Sequence, residues 1–132
     1  MEDSLTYITD TYLAGASCVG AGKSFKMVRL SGNYARICGT ANGAVHGLLL
    51  NEPTNTGDPV RILFFGKTLV RSSSGLIAGD TFVSDNTGRA VTAVFSAASN
   101  TAAFFGGRIT RADQPKVNTL TQAMFIPWTG YL

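Results

Sequence analysis

A chain of 132 residues suits one domain and leaves little room for a second. Its 45% hydrophobic content supports a core, but 14% charged residues, against a usual share of about 25%, solvates a surface poorly, so contact with copies of itself or a partner is expected. A net charge of +3 with no run of Lys or Arg argues against a nucleic-acid footprint.

In chain order, residues 1–22 read as an extended N-terminal arm. Leu5, Tyr7, Ile8, Tyr12 and Leu13 fall there without a clean period. About 20 extended residues span up to roughly 65 Å, enough to reach a neighbouring subunit. The acids Glu2 and Asp3 and the lack of a basic, apolar start argue against a signal peptide, and no apolar run approaches a membrane span. Synthesis in a cytoplasm is therefore expected.

Gly20-Ala21-Gly22-Lys23-Ser24 invites comparison with a phosphate-binding loop. That motif needs a glycine where Ser17 stands, and a helix after Lys23. The segment Phe25–Leu30 looks like a strand instead, so residues 20–24 read as a hinge between arm and body.

Residues 23–112 read as the β body. Strands are expected at Ser24–Leu30, Tyr34–Cys38, Ala44–Leu50, Val60–Phe65, Lys67–Arg71, Thr81–Ser84, Ala90–Phe95 and Ala102–Thr110. Gly32-Asn33, Asn42-Gly43 and Asp85-Asn86-Thr87-Gly88 supply turns, with Gly88 suited to a left-handed conformation. Val60–Phe65 becomes apolar on both faces, which predicts cover on both sides. A turn or two of helix is conceivable over Ala93–Ala103, but Asn100 and the β-branched neighbours disfavour it. Regular short strands predict an all-β fold, a small sandwich or barrel-like body.

Residues 113–132 read as a C-terminal extension. Phe125, Trp128 and Tyr131 are too large and apolar to stay in water, so they pack on the body or on a neighbouring subunit. A sugar-stacking platform has the same composition as an aromatic protein interface.

Chemistry is sparse. His46, the one histidine, sits inside a strand with no motif on either flank and reads as structural. Cys18 and Cys38 are too few for a disulfide framework and read as buried thiols, with a bridge between them left open by spacing alone. Asp80 and Asp85 lack the ligand pattern of a calcium loop and read as turn residues. No catalytic set, cofactor or metal site is expected.

Gly75–Val91 (Gly-Leu-Ile-Ala-Gly-Asp-Thr-Phe-Val-Ser-Asp-Asn-Thr-Gly-Arg-Ala-Val) resembles the capsid decoration, or cement, proteins of tailed bacteriophages. Gly43–Asn51, Thr56–Ile62 and Phe65-Gly66-Lys67 are similar to further steps of that family's pattern, in the same order, over roughly Phe25 to Ile109. The resemblance implies a β-tulip or jelly-roll type body, a homotrimer, and binding to the major capsid protein on the outer surface of a virion. It implies no enzyme activity, no nucleic-acid partner and no membrane. An N-terminal arm that reaches neighbours would suit Leu5, Tyr7, Ile8, Tyr12 and Leu13. The alternative is a β-rich carbohydrate- or receptor-binding module displayed on a virion. On the decoration reading, deleting the first ~20 residues is expected to leave a folded body that binds capsids weakly.

Overall fold

A computed structural model describes residues 7–40, 44–73, 76–93, 102–111 and 119–131. The fold is all-β, as the short runs between turn residues predict. Nine strands are present among the described residues: β1 (Ile8–Ala14), β2 (Met27–Ser31), β3 (Tyr34–Ile37), β4 (Gly47–Leu49), β5 (Pro59–Ser72), β6 (Thr81–Ser84), β7 (Ala90–Thr92), β8 (Ala102–Arg111) and β9 (Thr119–Tyr131). A single 3-10 turn, Ala16–Cys18, is the one helical element among the described residues.

The pairings close into two circuits that share β5. One runs β1-β3-β2-β4-β5 and returns to β1; the other runs β5-β7-β6-β8-β9 and returns to β5. Closure pairs the edges that an open sheet would present to other chains. The expected strands Val60–Phe65 and Lys67–Arg71 are one 14-residue strand. Gly66, at φ 140°, lets it pass from the first circuit to the second without a break. β2 and β3 form the hairpin expected at Gly32-Asn33, with Ser31 opposite Tyr34. Asn42-Gly43 and residues 94–101, most of the segment weighed as helix, lie outside the described residues.

The segment read as an N-terminal arm forms a strand of the body, and the C-terminal extension, expected to pack on the body or on a neighbouring subunit, forms another. β1 runs antiparallel along β5 from Leu13 opposite Pro59 to Ile8 opposite Phe65. The backbone bonds Ala14 N to Asp58 O (2.8 Å) and Gly57 N to Ala14 O (2.8 Å) tie its end to the turn before β5. β9 pairs with β5 from Thr119 opposite Ser72 to Phe125 opposite Gly66, and with β8 along most of its length. β1 has no clean period, with full burial only at its end, on Ala14, whereas β9 alternates in burial from Leu120 to Ile126 although its apolar residues do not.

The core follows the circuits. Val28, Ala35, Leu49, Val60 and Ile62 pack with Ala14 and Cys18 in the first. Met27, Leu48, Leu63, Val70, Phe82, Ile109 and Phe125 form a larger cluster that spans both. Ile62 and Leu63 are adjacent and both buried, so β5 is covered on two faces there, as expected. That cover ends at Phe65, which is 37% exposed.

Candidate contact surface

The expected contact residues separate into three groups. Tyr7 and Ile8 are exposed, at 55% and 60%. Tyr12 and Leu13 are half-buried, and the Tyr12 ring meets Phe64 edge-on with centroids 6.1 Å apart. Phe125 is fully buried in the larger core cluster. It is therefore corrected from a partner-binding to a core residue. Alternation along β9 buries Thr121, Ala123 and Phe125 and turns Gln122 and Ile126 outward. Trp128 and Tyr131 contribute backbone to β9, opposite Phe105 and Ala102; their side chains, like Leu5 as a whole, lie outside the described residues.

What the fold brings together is a different set. Ile8 stands directly opposite Phe65, and the β9 pairing of β5 ends one residue further on, at Gly66 opposite Phe125. Residues opposite one another share a face. Ile8 and Phe65, at 60% and 37% exposure, therefore form one outer apolar pair, and Tyr7 and Ile126, at 55% and 41%, are exposed at the chain positions next to Ile8 and Phe125. The pair lies where the neighbour of β5 changes from β9 to β1. Phe65 and Ile126 were missed from sequence. Each stands beside a more buried apolar residue, Phe64 or Phe125, and only the strand register tells which of the two faces out.

The residues considered for chemistry have local partners. His46 is exposed, and its Nδ1 accepts the backbone N–H of Leu30 at 2.9 Å, so it fastens the segment before β4 to β2. Cys18 and Cys38 are free and buried, and their thiols donate to Ala35 O (3.3 Å) and Ala44 O (3.1 Å). Burial pushes the Cys38 thiol up to about 11. Asp80 Oδ2 accepts from Ile77 N (3.1 Å) and Thr92 Oγ1 (3.2 Å), as a turn residue does.

Asp85 anchors the last turn. Its Oδ1 accepts from Thr87 N (2.8 Å), Thr87 Oγ1 (2.8 Å) and Arg89 N (2.9 Å), and Arg89 Nε reaches Oδ2 at 3.2 Å. Burial alone raises this carboxyl; the hydrogen bonds and the Arg89 charge outweigh it and hold the group below its ordinary value. Gly88 takes φ 82°, the left-handed conformation expected of it. Among the described residues, no three His, Cys, Asp or Glu side chains gather where a metal ion would be held.

No protein-family model matches the chain, and no curated protein matches it.

Proposed function

We propose that this protein is a capsid decoration protein of tailed bacteriophages, which binds the major capsid protein on the outside of the head and stabilises it. The observation that carries the reading is the exposed apolar pair Ile8 and Phe65, with Tyr7 and Ile126 also exposed, on an all-β body. A rigid β body with an apolar patch at the start of β1 suits a protein whose work is adhesion. The motif order over Phe25–Ile109 supports the same reading by resemblance. Cementing needs modest contacts repeated by symmetry. A homotrimer engaging three capsid sites gains effective concentration at each further contact, and an interface of ordinary size takes about 800 Å² from each partner.

The test is co-sedimentation of the purified chain with undecorated phage heads. Replacing Ile8 and Phe65 together by Ser is expected to weaken binding at least about tenfold, the loss of roughly 1.4 kcal/mol, while the melting temperature changes little. Full binding by a folded double variant would refute the patch as the contact.

One observation favours a carbohydrate- or receptor-binding module as the second reading. Tyr34, 41% exposed, lines a cleft of about 520 Å³ with Ser17, Arg36 and Thr56. An aromatic face among hydroxyls and a guanidinium suits a sugar. Glycan binding abolished by Tyr34→Ala, with head binding unaltered, would favour it.

A further inference from the structure

The segment that resembles a phosphate loop without its helix is folded as an anion cradle. Four donors converge on one oxygen, Glu52 Oε2. Gly22 N donates at 3.0 Å, Ser24 N at 3.4 Å and Ser24 Oγ at 2.8 Å, and Arg71 Nη2 stands 3.6 Å away. The cradle is built rather than incidental. Gly22 takes φ 80°, and Phe25 takes φ 64°, the one positive φ at a non-glycine among the described residues. These turns bring the amides of Gly22 and Ser24 to one side of the loop, where both face the same carboxylate oxygen. Phe25 is held there by its N–H on Leu49 O (2.6 Å) and by Arg71 N on its carbonyl (3.0 Å). Arg71 is aimed by its Nε, which donates to Ser24 O at 2.8 Å.

The present occupant is the chain's own carboxylate, on a long side chain that is 37% exposed. The hydroxyl of Ser24 is the main influence holding that carboxyl below its ordinary value; burial opposes it, and the backbone amides of Ser24 and Gly22 and the Arg71 charge add to the lowering. The site is open: a Cβ built on Gly22 would meet nothing within 4 Å.

Charge says what else fits. Burial pushes the Lys26 ammonium down first, Lys23 and Arg89 next, and Arg71 adds a little, while Asp85 opposes them. Arg89 is paired with Asp85 at 3.2 Å, and Arg71 faces Glu52 at 3.6 Å. Lys23 and Lys26 add positive charge to the loop beyond those two pairs, which favours an anion carrying more than one charge. We propose that the Gly22–Ser24 loop with Arg71 is a binding site for a phosphate group, and that Glu52 is its built-in competitor. A phosphate offers three terminal oxygens to donors that Glu52 engages with one. Swinging Glu52 into water vacates the cradle without opening the core.

Calorimetric titration of the full chain tests this, with inorganic phosphate in one arm and O-phosphoserine in the other, each against chloride at matched ionic strength. If Glu52 fills the cradle about nine-tenths of the time, Glu52→Ala tightens binding about tenfold. Glu52→Gln, which keeps the side chain's bulk and loses its charge, tightens it less and serves should the alanine variant fold poorly by circular dichroism. Lys23→Gln, which touches none of the cradle's hydrogen bonds, weakens it. Saturable binding of either ligand with this ranking supports the site and tells free phosphate from a phosphomonoester. No saturable binding to the folded Glu52 variants, equal affinity in those variants and the native chain, or indifference to Lys23→Gln overturns it.

Discussion

At the scale of single residues, the clearest energetic work is done by short polar side chains that hold turns. Asp85 gathers two backbone amides, a hydroxyl and a guanidinium around one carboxylate, so the Asp85–Gly88 turn is held by its own side chains as well as by the strands on either side. Its side chain is 15% exposed, so the charge is only partly screened by water. Removing it leaves those donors without their acceptor, and Asp85→Ala is expected to cost about 1–3 kcal/mol at pH 7 in urea unfolding. The sign of the pH dependence follows from the shift. A carboxyl held below its ordinary value in the folded state contributes stability above the unfolded value of 3.8, and loses it as pH falls through the folded value. The gap between native chain and variant should therefore be full at pH 6–7 and close as pH drops below about 4. A gap independent of pH from 7 to 3 would mean that the carboxylate charge contributes nothing. Glu52 shifts in the same direction, so the native chain should lose stability over a similar acid range from two anchored carboxylates.

At the scale of elements, the decisive features are the two strands at the chain's ends. β1 closes the first circuit, and its end contributes Ala14, fully buried beside Cys18, Val28 and Val60. Deleting residues 1–22 would leave one edge of the Pro59–Phe65 half of β5 unpaired and remove Ala14 and Cys18 from the core, which argues against a folded body after that deletion. Removing Met1–Thr6 alone leaves every described strand intact. The longer deletion is expected to lower the melting temperature by more than 10 °C, on the order of 3 kcal/mol or more at about 4–8 °C per kcal/mol, and the shorter by less than about 2 °C. Equal melting of the two truncated chains would remove β1 from the account of stability. The sequence was legible where a strand has one partner on each side and a two-residue turn at its end: β2, β3 and the Gly32-Asn33 hairpin follow from that pattern. It was illegible where a strand changes partners. β5 is buried on both faces at Ile62 and Leu63, passes through Gly66 and takes new neighbours beyond it, and no local period marks such a handover. The same cause hid the contact surface. Phe125 and Ile126 are equally apolar neighbours in sequence, and only their pairing across β5 makes one core and the other surface. The cradle at Gly22–Ser24 was half legible, since its glycines and lysine suggest an anion but nothing local indicates that Glu52, 28 residues beyond Ser24, supplies one.

At the scale of the whole molecule, two kinds of surface coexist and answer differently to salt. The exposed side chains of Tyr7, Ile8, Phe65 and Ile126 are apolar apart from one phenol hydroxyl, whereas the cluster of Lys23, Lys26, Arg71 and Arg89 concentrates an excess of positive charge on a chain whose net charge is only +3. Contact through the first depends on removing apolar area from water, which added chloride barely weakens. Contact through the second depends on charges at the surface, whose reach through solvent shrinks from about 10 Å at 0.1 M salt to about 3 Å at 1 M. If the apolar patch holds the chain on a capsid, head binding should change by less than about twofold between 0.1 M and 0.5 M sodium chloride. Binding that runs through the basic cluster should fall by more than about tenfold over the same range, as charge-driven association does. Co-sedimentation at the two salt concentrations, with Ile8→Ser/Phe65→Ser and Lys23→Gln chains alongside, separates them. On the decoration reading, the patch variant loses binding at both concentrations and the lysine variant at neither. A steep salt loss together with full binding by the patch variant would move the contact to the other surface and leave the apolar patch without a role in decoration.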